Sequence, residues 1–346
     1  MKKIPLSKVF LNDEIRDAAM TALNSGRYIL ADECAAFEQE LADFVGMKHC
    51  VLSSSWTAAV FLLHKAQGLG PGDEVILPSH TAFPSVEPLI HQGATPIFVD
   101  VDDTYCLDPA AVEAAITPRT VGIIPVHLYG HPADMDRIQA IADKHKLWVL
   151  EDCAQAIGAR YRGKRVGSMG TASAFSFYPS KNLTVFGDGG CVLTNDAQVA
   201  DKVRMLRNHG RQSKFTHDVP GFNLRFNEIQ AAIRYNERLA DLVQTPPEKD
   251  WAESVYHMYV IQTKDRDALG AYLKEKGIGT GIHYPVANHQ QPAITDNFSV
   301  PVLPRTEALV NNILSLPVYG EMPLEDADAV ADQIAAFLGD AQYASA

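Results

Sequence analysis

The strongest constraint on this chain is an alternation running from about Val51 to Thr194. Short apolar runs occupy Cys50–Ser53, Glu74–Pro78, Pro96–Val99, Val121–Val126, Leu147–Glu151, Ala172–Phe177 and Gly190–Thr194. Helical periodicity fills several of the gaps, at Thr57–Ala66, Ser85–His91, Pro109–Ala115 and Ala133–His145. Runs this short and this continuously apolar read as strands buried on both faces. Such strands belong to a mostly parallel central sheet flanked by helices. The last two runs are joined by a loop alone, which admits one late antiparallel strand.

Two helical patterns, Asp13–Asn24 and Asp32–Phe44, precede this block, and two more, near Asp201–Arg207 and Glu228–Leu239, follow it. Pro246-Pro247 marks a break. Beyond it come a strand pattern at Val255–Gln262, a helix at Arg266–Lys276, a Pro- and His-rich loop, and an amphipathic helix at Leu324–Leu338. The expectation is an α/β chain with a large unit over residues 1–240 and a smaller C-terminal α+β domain over 241–346.

Composition narrows the function. A net charge of −12 argues against a nucleic-acid binder, which needs a basic face. A small anionic ligand stays allowed, because one helix start with a few donors can hold a phosphate inside an acidic protein. The five cysteines, Cys34, Cys50, Cys106, Cys153 and Cys191, are widely spaced with no Cys-x-x-Cys pair. That spacing indicates neither a zinc site nor a redox dithiol, and it suits a reducing compartment. The first residues, Met1-Lys2-Lys3-Ile4-Pro5, lack a signal-type apolar stretch, and no run approaches the ~20 apolar residues of a membrane span. A cytoplasmic protein that contacts no membrane is expected.

The chemistry concentrates between Val149 and Gly190. An apolar strand pattern ends in Glu151-Asp152-Cys153-Ala154-Gln155. Ligands of open α/β sheets bind beyond the carboxyl ends of strands, so Asp152 falls where a ligand would sit. A helix N-cap accounts for the same aspartate equally well. A second strand pattern ends in Ser176-Phe177-Tyr178-Pro179-Ser180-Lys181-Asn182. An amine among apolar and aromatic neighbours loses solvation and becomes a nucleophile toward an aldehyde. Alone, Lys181 reads as a surface lysine with a packed stem. The combination says more. Pyridoxal phosphate requires a lysine, a carboxylate for its ring nitrogen, and small hydroxyls or backbone donors for its phosphate. Lys181, Asp152, the turn Ser54-Ser55 and Ser176 supply all three.

These segments carry a family resemblance. In order, they include Ser25-Gly26-Arg27-Tyr28-Ile29-Leu30, Phe98-Val99-Asp100-Val101-Asp102, Pro125-Val126-His127-Leu128-Tyr129-Gly130 and the two strand ends above. Gly187-Asp188-Gly189-Gly190, Asn208-His209-Gly210-Arg211, Gly221-Phe222-Asn223-Leu224-Arg225, His283-Tyr284-Pro285 and Ser315-Leu316-Pro317 extend the match over most of the chain. The chain resembles the DegT/DnrJ/EryC1/StrS sugar aminotransferases, which have the fold-type-I architecture. The resemblance implies that Lys181 is the Schiff-base lysine, Asp152 the acid on the pyridine nitrogen and Gln155 the contact to the phenolic oxygen. It implies that Ser176, Ser55 and Thr57, with backbone N–H groups around Trp56, hold the phosphate. It also implies that Asn223 reaches the phosphate of a partner subunit, which requires a homodimer with shared active sites. His283, Tyr284 and Arg211 are loose candidates for the substrate side. The implied substrates are an amino acid, expected to be glutamate, and a nucleotide-linked keto-sugar. Relatives that dehydrate carry histidine in place of the lysine; Lys181 favours amino transfer.

Three positions depart from the family pattern. Trp56 stands where glycine usually precedes Thr57, and either points away from the helix start or disturbs the cofactor. Ala82 stands where an aromatic ring usually stacks on the cofactor, leaving His80 or Phe83 for that task, with His80 preferred. The segment from 233 to 250 is short. Two rival readings remain: on the same fold, a cyclitol or other keto compound as acceptor; or, marked by Trp56 and the short segment, a cofactor-free relative acting as a binding or regulatory protein.

Overall fold

The computed structural model describes residues 2–211, 213, 215–231, 249–319 and 322–344. Helices α1 (Asp13–Asn24) and α2 (Asp32–Val45) lead into β1 (His49–Ser53), α3 (Trp56–Gln67) and β2 (Glu74–Pro78). There follow α4 (Glu87–Gln92), β3 (Thr95–Val99), α5 (Pro109–Ala115), β4 (Thr120–Ile123), α6 (Met135–His145) and β5 (Trp148–Asp152). A hairpin, β6 (Arg160–Tyr161) and β7 (Lys164–Arg165), precedes β8 (Ala172–Ser176), β9 (Gly190–Thr194), α7 (Ala197–Arg207) and α8 (Glu228–Ala231). The remainder holds β10 (Ala252–Glu253), β11 (Tyr259–Gln262), α9 (Arg266–Glu275), α10 (Pro292–Thr295), α11 (Pro304–Asn312), β12 (Ile313–Leu316) and α12 (Leu324–Ala344).

The seven apolar runs form one sheet in the order β1-β9-β8-β5-β4-β2-β3. Strands β8, β5, β4, β2 and β3 pair in parallel, and β9 runs antiparallel between β1 and β8. The strand residues are buried nearly throughout, as runs without polar alternation require. The late antiparallel strand admitted by the sequence is β9.

Several boundaries differ from the sequence reading. Helix α7 starts four residues before Asp201, because Asp196 caps it by accepting from the N–H groups of Gln198 and Val199. The strand expected from Val255 starts only at Tyr259. Tyr256 takes a left-handed φ of 43°, and Val255 instead donates its N–H to the Gly130 carbonyl at 3.1 Å. Gly130 permits this approach, since a Cβ there would lie 2.8 Å from the Tyr256 nitrogen. Helix α2 has no capping side chain of its own. Glu228, nearly two hundred residues away, accepts from the N–H groups of Ala31, Glu33 and Cys34. The short joining segment, the end of the helix expected over Glu228–Leu239 and the division at 240/241 fall on residues outside those described.

The C-terminal part builds a second layer. Strands β11 and β12 pair antiparallel beneath α9 and α12, around Leu269, Leu273, Leu314, Leu316 and Val330, joined by Ile4 from the N-terminal segment. Polar straps tie this layer to the main sheet. Asp100, just past β3, caps α11 by accepting from the Arg305 and Thr306 N–H groups. Asn288 donates its backbone N–H to the Ser79 carbonyl and its amide to the Thr81 carbonyl, each bond near the end of β2. His289 pairs with the Ser79 hydroxyl through Nδ1, 2.7 Å, and faces Glu307 through Nε2, 3.2 Å. Ser79 is fully buried, so this Ser-His-Glu chain holds the fold together with no path for a substrate.

A buried carboxylate fastens the hairpin under the sheet. Glu151, with no exposed surface, accepts from the N–H groups of Gly167, Met169 and Gly170 at 2.6–2.7 Å and from His127 Nε2 at 3.1 Å. His127 Nδ1 accepts from the Ala133 N–H, so the Nε2 proton is the one donated. Glu151→Ala strands four donors without water. It is expected to cost about 3–5 kcal/mol, read as a lowered urea midpoint; a change under about 1 kcal/mol contradicts this assignment.

Candidate active site

The C-terminal ends of β5 and β8 and the N-terminus of α3 converge on one cavity of about 240 Å³. Ser55, Trp56, Thr57, Asp152, Gln155, Ser176 and Lys181 all line it, together with Thr81, Ala82, Ser85, Tyr178, Asp188 and Gly189 among others. Strand register explains the convergence. Gly190 opens β9 directly between Ser53 of β1 and Ser176 of β8. A Cβ on Gly190 would lie 2.4 Å from the Trp56 nitrogen, so only glycine lets β9 pass this close to the helix start.

Helix α3 presents its N-terminal N–H groups with no acidic residue in the first turn. Ser55 caps it, accepting from the Ala58 N–H at 3.0 Å and keeping its own proton to donate. Such an end attracts a phosphate. Trp56 is 6% exposed and packs with the apolar layer beneath α3, and its indole N–H is buried without a protein acceptor.

Across the cavity stand the acid and the amine. Asp152 ends β5 and is 3% exposed; it accepts from the Ala154 N–H at 3.1 Å and the Ser85 hydroxyl at 2.9 Å. Burial pushes its pKa above the ordinary carboxylate value, opposed by those two donors and by the Lys181 charge. Lys181 lies in the loop after β8, half-buried, its N–H bonded to the Tyr178 carbonyl at 2.8 Å. Desolvation pulls its amine down to about 8, against the opposing pull of Asp152. A fraction of the lysine is therefore a free amine near neutrality, as attack on an aldehyde requires.

Gln155 is held from both sides. It accepts from the Tyr129 N–H at 2.7 Å and donates to the Tyr284 hydroxyl at 3.0 Å. Tyr284 thus stands behind Gln155, and neither it nor His283 lines the cavity. His283 bonds Ser315 through Nδ1, and its carbonyl receives the Tyr129 hydroxyl. Burial pushes the Tyr284 hydroxyl up to about 12 and the His283 imidazole down.

Three further expected residues lie elsewhere. His80 does not line the cavity; it is 1% exposed and bonds the Tyr129 hydroxyl at 2.7 Å, with its ring edge-on to Tyr129 and Tyr284. The wall at the expected stacking position is made by Thr81 and Ala82. Asn223 is exposed, its side chain accepting from Arg225, and Arg211 bridges His217; neither reaches the cavity of its own chain. Sequence reasoning missed Ser85, which carries no motif signal apart from its place one turn beyond Thr81. One trio, His127, Glu151 and Cys153, gathers candidate metal-ligand atoms within 4.8 Å, but both imidazole nitrogens and the carboxylate are taken by internal hydrogen bonds.

The fold is that of a fold-type-I aminotransferase, and this cavity is its candidate active site. The sequence profile of the DegT/DnrJ/EryC1/StrS aminotransferase family matches residues 10–234 and 232–335. The chain is 43% identical to the UDP-N-acetyl-3-dehydro-alpha-D-glucosamine 3-aminotransferase of Acidithiobacillus ferrooxidans, over 94% of each chain. It is 41% identical to a pleiotropic regulatory protein of Geobacillus stearothermophilus, over 94% of this chain and 95% of that one. The solved structure of Streptomyces venezuelae DesV in complex with a ketimine intermediate superimposes with a TM-score of 0.91 at 41% identity, covering 96% of this chain and 98% of that one. The chain belongs to the DegT/DnrJ/EryC1/StrS aminotransferase family.

The shifted amine has a direct consequence. Below pH 8 the buried ammonium costs stability, and stability rises with pH between about 8 and the unfolded value of 10.5. In cofactor-free protein, aldehyde capture at Lys181, trapped with borohydride and located by mass spectrometry, should rise with pH and level off above about 8. Asp152→Asn should move that midpoint lower, because the aspartate charge supports the ammonium. A midpoint near 10.5 contradicts the geometry.

Proposed function

We propose that the protein uses pyridoxal 5′-phosphate held at Lys181 to move an amino group from an amino acid, glutamate being the expected donor, to the keto group of a nucleotide-linked keto-deoxysugar. The observation that carries this reading is the placement of Lys181, Asp152 and the start of α3 on one cavity. The residues present fit the cofactor: an amine for the aldehyde, a buried acid for the ring nitrogen, and Ser55, Thr57, Ser176 and free helix N–H groups for the phosphate. The name of the Acidithiobacillus relative, a transferase acting on a nucleotide-linked dehydro-sugar, supports the acceptor class.

When bound, the cofactor supplies an electron sink that stabilises negative charge developing at the substrate carbon. Asp152, as a carboxylate, would hold the proton on the ring nitrogen. Lys181 would hold the cofactor's aldehyde and, as a free amine, would move a proton at the donor carbon, a role suited to an amine whose midpoint lies near 8. Gln155, locked between Tyr129 and Tyr284 on the cavity wall, would contact the cofactor's phenolic oxygen.

This reading includes a homodimer with shared sites. Tyr28, Ile29 and Phe186 are exposed large apolar residues beside the Asp188 rim. Ile29 bridges Asn227, and Gln230 binds the carbonyls of both Phe186 and Asp188. A second copy covering this patch would bring its exposed Asn223 to the phosphate end of the cavity. The reading also divides the chain into a large unit, 1–240, and a small one, 241–346, supported by the separate β11–β12 layer. It places the protein in the cytoplasm; among the described residues no helix is long and apolar enough to cross a membrane.

Lys181→Ala is expected to abolish the visible absorbance of added pyridoxal phosphate and to lower turnover by at least about a thousandfold. A variant that keeps both refutes the assignment. A colourless parent protein under the same addition favours the regulatory reading suggested by Trp56 and by the name of the Geobacillus relative. Asn223→Ala is expected to weaken cofactor retention about tenfold in a protein that sediments as a dimer; unchanged retention, or a monomer, removes the shared site.

A further inference from the structure

We propose that Thr81 and Ser85 form a hydroxyl relay that holds Asp152 as an anion, which makes Ser85 a positioning residue for amino transfer; the catalytic part of this inference rests on the reading above. The backbone of Asp152 is fixed by its N–H to the Pro125 carbonyl, 2.9 Å, and by its carbonyl, which accepts from the His127 N–H at 3.1 Å. Its carboxylate has two protein donors, one on each oxygen: the Ala154 N–H and the Ser85 hydroxyl. Ser85 has a single proton, and it goes to Asp152. The 3.1 Å contact between Ser85 and Thr81 is therefore donated by Thr81. The direction is fixed: Thr81 to Ser85 to Asp152. Each bond polarises the next, and in a dry site this strengthens the last one.

Local structure builds the relay deliberately. Ser85 closes a single 3₁₀ turn, Phe83–Ser85, with Pro84 inside it and its N–H on the Ala82 carbonyl at 3.1 Å. The Thr81 carbonyl is clamped by Asn288 from the C-terminal layer. Thr81 and Ser85 are 3% and 2% exposed, yet both line the cavity beside Asp152. Burial drives this acid toward its neutral form, and a neutral acid would leave the ring nitrogen without its counter-charge. The Ser85 hydroxyl opposes that drift. The consequence is that part of the acidity of Asp152 is set by two hydroxyls that carry no chemistry themselves.

The test reads the Asp152 carboxyl directly, by its carbon NMR titration in the purified protein, with Asp152→Asn as the blank that identifies the signal. Ser85→Ala is expected to raise the midpoint by about one pH unit, the size of a hydrogen bond to a charged group. Thr81→Val should raise it by less, and Ser85→Thr should restore it. With pyridoxal phosphate bound, Ser85→Ala should lose the visible band at a pH about one unit higher than the parent and release the cofactor about tenfold faster. Midpoints equal to the parent in Ser85→Ala and Thr81→Val overturn the relay. Should Ser85→Ala not fold, an unmoved Thr81→Val midpoint alone overturns it. If the parent takes up no pyridoxal phosphate, the catalytic reading falls while the carboxyl titration still decides the relay.

Discussion

The structure turns on two neighbouring carboxylates at the end of the central strand. Side chains at adjacent strand positions point to opposite faces of a sheet. Glu151 points to one side and is saturated by three backbone N–H groups and His127. That bonding locks the segment 167–170 and the loop through His127 under the sheet. Asp152 points to the other side, takes one donor on each oxygen, and faces a cavity with Lys181 on it. One carboxylate is taken up by the fold and the other stays open to the cavity. The difference lies in how many donors each one meets.

The same economy governs the lysine. Burial alone would drive Lys181 neutral and Asp152 protonated, and each charge offsets the burial of the other. The amine consequently sits near 8, low enough to react with an aldehyde and high enough to carry a proton afterward. The surroundings keep other titratable groups out of the exchange. Burial lowers His80 to about 4 and pushes His257 well below the ordinary imidazole range, so both stand neutral beside the site.

The cavity is also a product of distant straps. Thr81 and Ala82 form its wall because Asn288 and His289 hold the end of β2 from another layer of the molecule. Glu228 caps α2 from far along the chain, and the Val255–His257 segment runs against Gly130 rather than joining a sheet. These contacts use ordinary Glu, Asn and His residues, whose local sequence carries no sign of a partner two hundred positions away.

What the sequence by itself determined is everything with a period or an ordered motif. Seven apolar runs dictated seven strands of one sheet, since continuous burial admits little else. The order of short segments around Asp152 and Lys181 identified the family and singled out two residues that the fold brings to one cavity. Tertiary structure alone decided which way side chains face and who meets them. It turned His80 into the Tyr129 bond and off the cavity wall, sank Trp56 into the apolar layer at the start of α3, left Asn223 on the outside of its own chain, and set Ser85 against Asp152. Periodicity encodes burial of a face, which is a local property. Hydrogen-bond partners across layers depend on packing of the whole chain, and no local pattern records them.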